Sequence, residues 1–65
     1  MQINVNGTDR DVTEGITITL LLEELKIKGP VAVELNRQVY PRTTHQDTVL
    51  KSHDVLEIVT IVGGG

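Results

Sequence analysis

Sixty-five residues with nine acidic and six basic side chains, net charge −3, and no cysteine set limits before any motif is read. A chain this short buries only about 60% of the surface its unfolded form exposes, which leaves little material for a deep catalytic pocket and favours a carrier, binding module or subunit. The lack of cysteine excludes disulfides, thiolate metal sites and side-chain thiol chemistry, while scattered basic residues and a single tyrosine without Phe or Trp argue against nucleic-acid binding.

Ile3 and Val5 alternate with Gln2, Asn4 and Asn6, the period of a half-buried strand. Asn6-Gly7 is a strong hairpin signal, because both residues tolerate positive φ. The return strand is expected over roughly Thr8 to Thr13, polar apart from Val12 and therefore exposed or at an edge. Glu14-Gly15 breaks the pattern, and Thr17 is placed to cap a helix. Ile18, Leu21, Leu22 and Leu25 then form one apolar stripe, with Glu23 and Glu24 opposite. Lys26 and Lys28 are expected near the helix C-terminus, and Gly29-Pro30 is expected to close it.

Val31-Ala32-Val33-Glu34-Leu35 reads as a strand with Val31, Val33 and Leu35 inward and Ala32 and Glu34 outward. Asn36-Arg37 makes a tight turn into a short strand, Gln38 to Tyr40, which Pro41 ends. Arg42 to Asp47 reads as polar loop, in which His45 is expected to be solvated. The segment Thr48-Val49-Leu50 is expected to tuck one apolar side chain under the sheet. After a turn at Lys51 to Asp54, in which His53 is also expected to be solvated, the last strand has Leu56 and Ile58 inward and Glu57 and Val59 outward. The order predicts an α+β domain: a mixed sheet of four to five strands with one main helix on one face.

The chain finishes Val62-Gly63-Gly64-Gly65. Glycine loses more conformational freedom on ordering than any other residue, so such a tail is a poor end to a core. It suits a flexible arm whose carboxylate reaches a narrow pocket on another protein. We expect residues 1–62 to form the domain and residues 63–65 the tail. The N-terminus lacks the basic start and apolar core of a signal peptide, and no apolar run approaches the roughly 20 residues of a membrane span. The expected compartment is the cytoplasm.

Strand order and the glycine ending resemble the β-grasp fold of ubiquitin-like proteins. Within that group the chain resembles the ThiS family, the sulfur carriers of bacterial thiamin thiazole synthesis. The matching segments are Gln2-Ile3-Asn4-Val5-Asn6-Gly7, the helix from Thr17 to Leu25, Val31-Ala32-Val33-Glu34-Leu35-Asn36, Val39-Tyr40-Pro41-Arg42, and Leu56 to Gly65. Arg37 and His53 depart from the family pattern, standing at turn positions where it often has glycine.

The resemblance implies a chemistry. A carboxylate is a poor electrophile without a leaving group. A ThiF-type adenylating enzyme would use ATP to make an acyl-adenylate on Gly65, and a cysteine desulfurase or related persulfide would supply sulfur to displace AMP. The resulting thiocarboxylate would pass sulfur to a ThiG-type thiazole synthase. The chain itself would be no enzyme, would bind no cofactor or metal, and is expected to be monomeric when free. Gly63 and Gly64 would thread the partner's channel. Ala32, Glu34, Glu57, Val59 and Ile61 would dock on the partner. Other readings of the same tail are the small subunit of molybdopterin synthase, a ubiquitin-like modifier, or a binding module with an inert tail.

Overall fold

A computed structural model describes residues 1–61. The order is β1 (Gln2–Val5), β2 (Thr8–Asp11), α1 (Ile18–Glu24), β3 (Val31–Leu35), β4 (Gln38–Tyr40), a 3₁₀ helix (Arg42–Asp47) and β5 (Val55–Thr60). Five strands form one sheet in the order β2-β1-β5-β3-β4. The last strand in sequence is thus central in space, parallel to β1 and antiparallel to β3. The edges are β2, with every residue exposed, and the three-residue β4. Short or charged edges discourage pairing with another chain.

One face of the sheet is buried by α1. Ile3, Val5, Val33, Leu35, Leu56 and Ile58 from the strands share a core with Ile16, Ile18 and Leu21 around the helix start, and with Val12 and Leu50. The alternation read from the sequence therefore holds in β1, β3 and β5. Leu50 is the side chain tucked beneath the sheet, while Val49 is exposed. The Leu50 N–H donates to the Ile16 carbonyl at 2.8 Å and the Ile18 N–H to the Thr48 carbonyl at 3.1 Å, tying this segment to the entry of α1.

The Thr17 hydroxyl accepts from the Leu20 N–H at 3.2 Å, as expected of a cap. The helix ends earlier than the sequence suggested. Leu25 is its C-cap, and no basic residue lies in its last turn. The Lys26 N–H donates to the Glu23 carbonyl and the Ile27 N–H to the Leu22 carbonyl, both at 3.0 Å. This is a Schellman closure with Lys26, at φ 58°, in the left-handed position. Gly29 (φ 87°) lies three residues beyond it and takes no part. The apolar pair Leu22 and Ile27, both packed on the core, locks the helix end before Gly29 is reached. Because a side chain in the left-handed region is strained, Lys26→Gly is expected to raise stability by about 0.5–1 kcal/mol. A higher urea midpoint at unchanged slope would be the readout.

The stretch Arg42–Asp47 is a 3₁₀ helix and not the polar loop expected, and His45 within it is buried, only 2% exposed. Its Nε2 lies 2.8 Å from the Tyr40 carbonyl. As that carbonyl can only accept, Nε2 carries the proton. Burying an imidazole without such a partner is costly, so the bond explains how a polar residue is tolerated there.

Arg37 and His53, the two departures from the glycine pattern, have φ of 71° and 70°. Glycine suits both places because the backbone is left-handed there.

Candidate functional site

The candidate site is the approach to the C-terminus along β5 and the open face beside it. Gly63, Gly64 and Gly65 lie outside the described residues; the last described residue is Ile61. The Ile61 N–H donates to the Pro30 carbonyl at 2.9 Å. The chain is therefore held to the residue that precedes β3 as far as Ile61.

Two asparagines hold β5 in line. At the β1–β2 turn, Asn6 (φ 50°) donates from its side-chain amide to the Ile58 carbonyl at 3.1 Å, and its Oδ1 accepts from the Ile58 N–H at 2.7 Å. The side chain thus behaves as one more backbone unit of β1 and extends the parallel ladder. At the β3–β4 turn, Asn36 (φ 49°) accepts from the Val55 N–H at 3.0 Å and donates to the Asp54 carboxylate at 3.0 Å. The two turns grip the same strand from opposite flanks. Asn6→Gly keeps the turn conformation but removes both side-chain bonds. It is expected to cost about 1–2 kcal/mol, measurable by chemical denaturation, with the Ile58 amide exchanging faster with solvent.

The face of the sheet opposite α1 carries the outward residues named from the sequence. Ala32, Glu34, Glu57, Val59 and Ile61 are all exposed. The β3–β5 register sets Ala32 opposite Val59 and Glu34 opposite Glu57, so four of the five form two adjoining cross-strand pairs. Ile61 follows two residues beyond Val59, past the last strand residue. Sequence reasoning missed Val39 and Val55. Val39 pairs with Glu34 across β3–β4 and is 70% exposed, and Val55 is 47% exposed. The signal for Val55 was present, since it shares the parity of Glu57 and Val59. For Val39 the strand was too short for its alternation to indicate a face.

The described residues contain no group of three or more His, Cys, Asp or Glu able to hold a metal. A depression of about 680 Å³ lies between the end of α1 and the 3₁₀ helix and includes Thr19, Thr43 and His45. His45 is bonded there to the Tyr40 carbonyl and to neither threonine. No helix of the described residues is long and apolar enough to cross a membrane.

The ThiS family model matches residues 3–65. A crystal structure of the thiamine biosynthesis protein (ThiS) from Geobacter metallireducens is similar over 100% of both chains, with 36% identity and a TM-score of 0.85. The uncharacterized protein ycf40 of Pyropia yezoensis is 39% identical over 66 residues, covering all of this chain and 93% of that protein. A thiazole synthase of Paramagnetospirillum magneticum is 35% identical over 66 residues, again covering the whole of this chain. This chain spans only 20% of that enzyme's length, and 20% of a second thiazole synthase, from Magnetococcus marinus, that it also matches.

Proposed function

The chain belongs to the ThiS family, and on that premise we propose that it is a sulfur carrier of thiamine biosynthesis whose working group is the Gly65 carboxylate. The observation that carries this reading is the extent of the family match. It runs to residue 65 and takes in the glycine tail as well as the folded domain.

The proposed chemistry needs little from the domain. The Gly65 carboxylate oxygen attacks the α-phosphorus of ATP on a ThiF-type adenylating enzyme, and pyrophosphate leaves. A persulfide from a cysteine desulfurase or related donor attacks the activated carbonyl, and AMP leaves. Reductive cleavage of the S–S bond by a donor thiol frees a thiocarboxylate. Gly65 has no Cβ, so approach to its carbonyl is unhindered. Gly63 and Gly64 can lie extended in a channel too narrow for side chains. The described fold supplies a rigid base for this arm, with β5 central and clamped by Asn6 and Asn36.

The acceptor is proposed to be a ThiG-type thiazole synthase. Two thiazole synthases carry a segment matching the whole of this chain within one polypeptide, and such covalent linkage supports direct contact between carrier and enzyme. Calorimetric titration of the full chain into a thiazole synthase, and separately into the large subunit of molybdopterin synthase, tests the acceptor. Binding to the first alone is expected. Binding to the second alone would move the chain to the molybdopterin pathway, and isopeptide conjugates in place of either would make it a modifier.

A further inference from the structure

We propose that Glu34 and Glu57 form a receptor for one cationic side chain, an arginine, presented by the adenylating enzyme. The inference rests on the carrier reading and names the chemistry of its docking surface.

The β3–β5 register places the two carboxylates directly opposite each other on the open face. Side chains so placed have Cβ atoms about 4.5–5.5 Å apart, and like charges there are destabilising. No ion pair among the described residues relieves the repulsion. The ion pair found there joins the N-terminus to Asp11, and neither glutamate has one. Arg37 lines the same shallow depression of about 360 Å³, with Glu34, Asn36, Val55 and Glu57, yet it pairs with neither.

The surroundings indicate what relieves it. Exposed Val39 is the cross-strand neighbour of Glu34, Val55 lies in the depression itself, and the Ala32–Val59 pair adjoins on the side of the tail. An arginine fits this arrangement. Its aliphatic stem covers valine surface while its guanidinium fork meets both carboxylates. A metal ion is a poorer match, because no third His, Cys, Asp or Glu among the described residues joins the two glutamates. A second copy of the chain is a poorer match still, since the same face would bring like charge against like charge.

Position favours an enzyme that takes in the tail as the owner of that arginine, and in the proposed chemistry the adenylating enzyme is the first to act on it. Glu57 precedes Ile61 by four residues, about 13 Å of extended chain, and Ile61 is held to Pro30. An enzyme that takes in residues 62–65 must therefore lie against this end of β5. Once covered, the ion pairs lose water and gain strength.

The test is affinity of the full-length Glu34→Gln/Glu57→Gln chain for the adenylating enzyme with ATP, beside urea unfolding of the free chain. Affinity is expected to fall about tenfold or more and to lose most of its dependence on salt. The unfolding midpoint is expected to rise as the repulsion disappears. Glu57→Lys should weaken binding further while stabilising the free domain through Glu34. If the parent chain binds and the double variant binds as tightly, this inference falls and the carrier reading stands. A fall in both affinity and stability also overturns it, because the loss is then one of folding. If the parent chain fails to bind at all, the carrier reading and this inference fall together.

Discussion

Deletion of Gly65 is expected to abolish sulfur uptake while leaving the urea midpoint unchanged within error. The truncated chain still ends in a glycine carboxylate, so the functional group is retained. What changes is reach. One residue of extended backbone spans at most about 3.3–3.6 Å, and a misplacement of 1 Å at a reacting centre can cost on the order of a hundredfold in rate. The adenylating enzyme would then hold the new terminus more than 3 Å short of the α-phosphate. Stability is expected to persist because the described contacts of the domain end at Ile61, with its bond to Pro30. Single-turnover assays of adenylate formation on parent and truncated chain measure the effect. Equal rates would show that position along the tail is immaterial, contrary to the proposed mechanism.

Leu56→Ala is expected to lower the unfolding free energy by about 3–5 kcal/mol. Leu56 is fully buried on the central strand, paired with Leu35 on one side and Val5 on the other. Its removal leaves a cavity that neither neighbouring strand can fill without breaking register. Native domains are stable by about 0.05–0.15 kcal/mol per residue, or roughly 3–10 kcal/mol at this size, so the variant is expected to be largely unfolded at 37 °C. With no tryptophan in the chain, far-ultraviolet circular dichroism in urea is the suitable probe. Val59→Ala, on the same strand but 60% exposed, is expected to stay within about 0.5 kcal/mol. Similar losses for both would contradict the assignment of the two faces of β5.

These two effects separate the labour within one strand. Leu56 and Ile58 of β5 hold the fold, while Val55, Glu57 and Val59 meet the outside. That division was legible in the sequence, since period-two alternation in β1, β3 and β5 fixed which side chains go inward. The Asn6-Gly7 and Asn36-Arg37 turns were legible too, the first because both of its residues tolerate positive φ.

Where the sequence misled, local signals competed with packing. Gly29-Pro30 looked like the end of the helix, but Leu22 and Ile27 closed it earlier around Lys26. His45 looked solvated because it sits in a polar run, whereas a single hydrogen bond to Tyr40 allows it to be buried. Asn6 and Asn36 were read as turn residues alone. Their bonds to β5 join positions up to 52 residues apart, which no local pattern encodes. The facing of Glu34 and Glu57 was hidden for the same reason. Each was readable as outward, but the register that brings them together belongs to the sheet.

The most direct test of the carrier chemistry is the intact mass of the full chain after incubation with a ThiF-type adenylating enzyme, ATP and a sulfur donor, followed by fragmentation to locate any change. Replacement of one oxygen by sulfur, confined to Gly65, is the predicted result. An unchanged mass, with an enzyme shown to be active on another carrier, or a sulfur found anywhere but Gly65, would contradict it.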